Sequence, residues 1–277
     1  VTGELPPPNT AQNGIQISSG AIATVSNNIV SNNQCGAVGC GPGVADVWAT
    51  GILLFDAGAG TAINNNAISG NDGGLVAVAT TVGQSFSASG NTFSANRYAN
   101  ILASALTLNL TGNTITGSNW GVVAQASSPA NTVVNLSGGN VVSQAAAAGL
   151  TVFDDNLADA FAATIQGSGN QFVNNAVGAA NTPVQGTVSL ACNWWGSPYG
   201  PINPANPLGQ GNPATVNTTF TNWAIDNTTF ACTGNPQNNI LLASPQIPVP
   251  TLHPILLAAL VLTLAIFAAA GVPRRRR

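Results

Sequence analysis

Charge is what this sequence most lacks. Charged residues are 5% of its 277 positions, against roughly 25% in an average soluble domain. There is no Lys, no Met and a single His, His253. Four of the five Arg form the terminal run Arg274, Arg275, Arg276 and Arg277. The rest of the chain keeps one basic residue, Arg97, against eight acids, a net charge of −7. A body of that kind has no electrostatic footprint for a phosphate backbone, so nucleic-acid binding is set aside. Disordered chains are usually charge-rich and poor in hydrophobic residues. Here 45% of residues are hydrophobic, so the missing charge does not signal disorder and there is material for a core. The chain starts at Val1 without the charged, apolar and small-residue regions of a signal peptide. The expectation is that an export signal, and more of the domain, lies upstream.

Cysteine is scarce but even in number. Cys35 and Cys40 flank a short Gly-rich loop, and Cys192 and Cys232 bracket a later segment. In an exported protein an even count favours disulfides, and the most local arrangement is Cys35–Cys40 with Cys192–Cys232. A C-x4-C pair with no His or second close pair does not complete a four-ligand zinc site.

What is abundant is Gly, Asn, Ser and Thr, and they recur in phrases. A small residue, Asn, any residue and an apolar residue appear at Ser26-Asn27-Asn28-Ile29, Asn65-Asn66-Ala67-Ile68 and Gly90-Asn91-Thr92-Phe93. The phrase returns at Gly112-Asn113-Thr114-Ile115, Gly139-Asn140-Val141-Val142, Gly169-Asn170-Gln171-Phe172 and Cys192-Asn193-Trp194-Trp195. The key Asn positions 27, 66, 91, 113, 140, 170 and 193 are 39, 25, 22, 27, 30 and 23 residues apart. The long first interval holds the Cys35–Cys40 loop, which reads as an insertion. Between these phrases lies a second, Gly followed by apolar alternation, at Gly14-Ile15-Gln16-Ile17, Gly51-Ile52-Leu53-Leu54, Gly74-Leu75-Val76-Ala77-Val78, Gly121-Val122-Val123 and Gly149-Leu150-Thr151-Val152.

Two phrases locked in phase at this period specify a repeat. Each unit offers strands too short to form a sheet alone. Stacked at roughly 4.8 Å they pair with equivalents above and below and bury a continuous apolar column. Asn suits the corners because it tolerates the left-handed backbone region, and its amide can bond to the same amide in the next coil. The fold expected is all-β, a parallel β-helix of about seven coils and roughly 35 Å. A β-sandwich is the rival, but it predicts turns every 8–12 residues or so and no longer period.

Positions 13 to 200 resemble the right-handed parallel β-helix repeats of secreted bacterial proteins. Asn193-Trp194-Trp195-Gly196-Ser197-Pro198-Tyr199-Gly200-Pro201 is similar to the N-W-W-G-x-x-x-G-P stretch that often closes such repeats in cell-surface members. A solenoid end exposes core and backbone, so bulky side chains there make sense as a cap. The other reading makes Trp194 and Trp195 a sugar-stacking platform. The repeats with this cap occupy 1–200, followed by an irregular capping or extension segment over 201–236, with a last strand near 218–225.

A Pro-containing linker over 237–250 precedes the tail, 251–277. Ile255 to Val272 is an uncharged run of 18 residues, about 27 Å as a helix and close to the hydrocarbon thickness. This run is expected to form one C-terminal transmembrane helix. The Arg cluster after it places that end in the cytoplasm and the body outside. Pro250-Thr251-Leu252, the apolar run and then Arg274, Arg275, Arg276 and Arg277 together resemble the IPTL-CTERM sorting signal, a relative of PEP-CTERM in Gram-negative bacteria. The resemblance implies recognition by an exosortase-type membrane protease and delivery to the cell envelope or surface. Val249 stands where Ile is usual, and His253-Pro254 replaces the Ser and aromatic residue commonly next.

Parallel β-helices include polysaccharide lyases and hydrolases, whose chemistry needs clustered carboxylates for Ca²⁺ with a basic residue, or an Asp/Glu pair across a cleft. Here Asp46, Asp56, Asp72 and Asp226 stand singly. Asp154, Asp155 and Asp159, with Asn156, form the best candidate for a Ca²⁺ site or an acid pair. A solvated loop between coils is the blander reading of the same residues. Arg97 beside Tyr98 offers an acidic-sugar contact or simply a lone surface Arg. No cofactor is expected. The residues therefore read as a non-enzymatic surface protein, structural, adhesin-like or glycan-binding, with extracellular polysaccharide as the partner class. The alternative is a polysaccharide lyase or hydrolase whose catalytic coils lie partly upstream.

Overall fold

The short strands expected from the repeat form and stack in parallel. The computed structural model describes residues 1–3, 11–36, 48–154, 160–181 and 186–236. The chain separates into two units, Val1–Ile240 and Leu241–Arg277. The second unit lies outside the described residues, as do 237–240 of the linker. It holds the whole of the expected sorting segment: Pro250, Thr251 and Leu252, the apolar run, and Arg274, Arg275, Arg276 and Arg277. Among the described residues no helix is long and apolar enough to cross a membrane.

The first coil comprises β1 (Asn13–Ser18), β2 (Thr24–Ser26) and β3 (Ile29–Ser31), and the second β4 (Thr50–Phe55), β5 (Ala62–Asn64) and β6 (Ala67–Ser69). The third holds β7 (Gly73–Val78), β8 (Ser85–Ser89) and β9 (Thr92–Ser94), the fourth β10 (Ala99–Ser104), β11 (Thr107–Thr111) and β12 (Thr114–Thr116). The fifth holds β13 (Trp120–Ala126), β14 (Thr132–Ser137) and β15 (Val141–Ser143), the sixth β16 (Ala148–Asp154), β17 (Ala163–Ser168) and β18 (Gln171–Val173). A seventh contributes β19 (Ala179–Asn181) and β20 (Gly186–Ser189), and β21 (Thr218–Thr219) pairs onto β20. Each of the first six coils gives one strand to each of three parallel sheets: the first runs from β1 to β19, the second from β2 to β21, the third from β3 to β18. This is a parallel β-helix.

Register explains the core. In the third sheet Val30, Ile68, Phe93, Ile115, Val142 and Phe172 stand one above another, all fully buried. The first sheet adds Ile52, Leu75, Ile101, Val122 and Leu150, and the second adds Phe86, Leu108, Val134, Ile165 and Val188. Each large side chain withdrawn from water contributes about 1.5–3 kcal/mol. None of these columns exists within one coil, which is why the short strands need the stack.

The Gly phrase has a steric cause. Gly14, Gly51, Gly74, Gly121 and Gly149 occupy one rank of the first sheet. A Cβ on Gly121 would lie 2.3 Å from the Gly149 carbonyl oxygen, and one on Gly51 2.8 Å from that of Gly74. The coils approach too closely there to admit a side chain.

The corners on either side of the third sheet share one design, and here the structure corrects the repeat phrase. Each corner is a left-handed residue followed, everywhere but at Ala145, by a polar one. Before the third sheet the left-handed residues are Asn27, Asn65, Gly90, Gly112, Gly139, Gly169 and Cys192. The residue after each forms the ladder. In the first coil that residue is Asn28, not Asn27: Asn28 donates through its backbone N–H and its Nδ2 to Asn66 Oδ1, at 2.9 and 3.1 Å. Val30, not Ile29, then points inward, and Ile29 stays exposed. Asn27 supplies the backbone twist and Asn28 the amide, two roles that the phrase merged into one residue.

Candidate functional site

Most buried polar groups serve the stack itself. The first ladder runs Asn28, Asn66, Asn91, Asn113, Asn140, Asn170 and Asn193, each rung after Asn28 accepting from the amide below on Oδ1 at 2.8–3.1 Å. Most rungs also reach a backbone carbonyl across the corner through Nδ2, as Asn113 does with Ala88 at 2.9 Å. Low dielectric makes such a fully satisfied network strong and any gap in it costly.

A second ladder, absent from the sequence reading, follows five residues behind. Asn33, Asn71 and Asn96 repeat the same bonds, and Asn175 bonds to Asn212. Ser118 and Ala145 stand where two amides are missing. At the first gap Asn100 intervenes: it accepts from Asn96 Nδ2 at 2.8 Å and donates to Ser118 Oγ at 2.9 Å. Asn100 sits in the Gly rank of the first sheet, so its departure from Gly repairs the neighbouring ladder. The signal for this ladder was present as Asn-x4-Asn at 28/33, 66/71, 91/96 and 170/175.

The candidate acid cluster is placed only in part. Asp154 ends β16, while Asp155, Asn156 and Asp159 lie outside the described residues. Among the described residues no three His, Cys, Asp or Glu side chains come together in a way that could hold a metal ion. Asp46 also lies outside them. Asp56 accepts from the hydroxyl and N–H of Thr80, which hold its carboxyl below the usual carboxylate range. Asp226 is held lower still by the hydroxyl and N–H of Thr229, then those of Thr228. Asp72 is fully buried; it accepts from the Cys35 N–H at 2.9 Å and from Arg97 at 3.4 Å. The Arg97 guanidinium lies 4.9 Å from the Tyr98 ring centre, and Tyr98 packs 5.7 Å from Trp48. Arg97 is thus not a lone surface Arg: it covers a buried carboxylate and stacks on an aromatic ring.

The Trp-Trp-Gly stretch continues the third sheet. Trp194 pairs with Gln171, so Trp195 falls on the inward column directly above Phe172, with ring centres 4.9 Å apart. Trp195 is fully buried and offers no face to a sugar; Trp194 is half-buried. The stack also passes residue 200: Ala214 pairs with Ala179, and β21 with β20. Phe220 and Trp223 complete the lid, each packed on the next ring, and Trp223 Nε1 donates to the Pro198 carbonyl at 2.9 Å. The sequence reading of 201–236 as a capping or extension segment, with a last strand near 218–225, spans these two rings without naming them; the strand itself is β21. Cys192 and Cys232 are joined by a disulfide that ties the segment beyond the lid back to the seventh coil. Cys35 is also disulfide-bonded; Cys40 lies outside the described residues.

Residues 9–137 match the family model of the right-handed beta helix region. The matched span covers the first four coils and the start of the fifth, and the same pattern continues through the remaining coils. No curated protein and no solved structure matches the chain.

Proposed function

We propose that this β-helix is the body of an exported cell-envelope protein, displayed outside the cell and delivered by its C-terminal segment. The observation that carries the reading is the Cys192–Cys232 disulfide, since disulfides persist in oxidising compartments. The order of the tail supports it: Pro250-Thr251-Leu252, an uncharged run over 255–272, then Arg274, Arg275, Arg276 and Arg277. An exosortase-type protease is the partner this segment resembles a substrate for. The role of the body is structural, adhesin-like or glycan-binding rather than catalytic. In support, Asp56, Asp72 and Asp226 are each engaged by neighbouring donors, and Arg97 is committed to Asp72. Fractionation of cells expressing the whole gene is expected to place the body in the envelope or the medium. A full-length product soluble in the cytoplasm overturns the reading. Release of unsaturated products from polygalacturonate with Ca²⁺ by the purified protein would establish a lyase instead.

A further inference from the structure

Outward side chains of the second sheet bring Asn109, Asn135, Gln166 and Ser189, one from each of β11, β14, β17 and β20, into one register. Successive rungs are roughly 4.8 Å apart. Asn135 Nδ2 donates to Asn109 Oδ1 at 2.9 Å, and Gln166 Nε2 donates to Asn135 Oδ1 at 2.9 Å. Asn109 Nδ2 donates to the Phe86 carbonyl at 3.3 Å. An amide nitrogen carries two hydrogens. These bonds therefore orient the amides and leave a second N–H on each, together with the Gln166 carbonyl oxygen and the Ser189 hydroxyl, outside the chain of bonds.

This row lines a groove of about 840 Å³. Part of its wall is bare glycine, Gly138, Gly167 and Gly169, and for two of these the backbone supplies a reason. Gly167 adopts φ +153°, and a Cβ there would lie 2.1 Å from the Leu136 carbonyl oxygen. Gly138, at φ +68°, is an extra residue in its corner, where the coil below turns with Gly112 alone. No residue lining the groove is charged.

We propose that this groove binds a neutral polysaccharide, laid along the stack with its ring hydroxyls bonded to successive amide rungs. The uncharged lining gives an anionic polymer no countercharge, and a body of net charge −7 repels one. Polar rungs in one register over four coils favour a polymer over a single sugar, because one weak contact per rung adds up along the chain. The proposal rests on the surface-display reading for access to such a polymer. Its test uses purified protein, so failure here leaves localisation untouched.

The test is electrophoresis of the folded full-length chain in native gels containing hydroxyethylcellulose, dextran or galactomannan, with polygalacturonate in parallel. Retardation is expected in at least one neutral polymer and not in polygalacturonate. The pair N135A with Q166A is expected to lower the association constant at least about fivefold, the loss of one or two hydrogen bonds. Q166A alone, at an exposed position that leaves the Asn109–Asn135 bond in place, gives a smaller loss with an unchanged melting temperature. No retardation in any neutral polymer, retardation by polygalacturonate alone, or retardation undiminished in both variants overturns the proposal.

Discussion

At the scale of single residues, the polar interior is where small changes have large effects. Asn113 is fully buried and joins Asn91, Asn140 and the Ala88 carbonyl. Asn113→Ala leaves donors and acceptors on both sides without partners, each costing about 1–3 kcal/mol. A loss of about 3 kcal/mol or more is expected in urea unfolding, far above that for the exposed Thr114→Ala beside it. Asn113→Asp is expected to be worse, because it turns a carboxylate toward two oxygens in a dry site. The exposed carboxylates behave differently. Asp56 and Asp226 have pKa values lowered by Thr80 and by Thr229 with Thr228. A group whose folded pKa is depressed adds stability above its unfolded pKa, about 3.9 for Asp, and loses it as pH falls through the folded value. The melting temperature is therefore expected to be flat from about pH 5 to 8 and to decline below about pH 4. The double variant D56N, D226N should show a shallower decline than the unaltered chain.

At the scale of strands and corners, close coil contact decides what each rank admits. Gly121→Ala puts a Cβ 2.3 Å from the Gly149 carbonyl oxygen, and a loss of about 1–3 kcal/mol is expected from such overpacking. Gly20→Ala, where a Cβ meets nothing within 4 Å, is the comparison that separates contact from the strain of its positive φ. Both ranks were legible in the sequence because their cause recurs from coil to coil: Gly where carbonyls crowd, with Asn100 the exception, and Asn where a corner must satisfy its neighbour. The first ladder rung was misread by one position because Asn27 and Asn28 are chemically alike, and only the pairing of Val30 with Ile68 distinguishes them. The second ladder escaped notice because Ser118 and Ala145 interrupt it and Asn100 mends it from another strand. The Asn-x4-Asn spacing survives in four coils, and the repair by Asn100 falls outside that spacing. The groove over Gly167 was illegible for a related reason. Its rungs, Asn109, Asn135, Gln166 and Ser189, differ in residue type and align only once the strands are stacked.

At the scale of the whole molecule, the described unit is a stack closed at one end by aromatic rings. Trp195, Phe220 and Trp223 cover the last core column, and the Cys192–Cys232 disulfide holds the residues beyond them. A bridge closing a segment of this length contributes about 2–4 kcal/mol. Reduction is expected to lower the melting temperature and to expose the lid first, seen as a rise in Trp fluorescence quenching before the strands exchange their amide hydrogens. The paired Trp marked the lid's beginning and 201–236 read as a capping segment, but Phe220 and Trp223 were not singled out, since no repeat marks their positions. A stack of this kind commits its polar residues to its own corners and presents an almost uncharged surface, properties suited to a displayed structural body. The most direct test of that account is protease shaving of intact cells carrying the complete gene or the gene lacking residues 251–277. Surface display predicts that external protease removes the body from intact cells of the first kind, and that the second kind no longer retains it at the surface. A body protected in intact cells of the first kind, and degraded only after lysis, contradicts it.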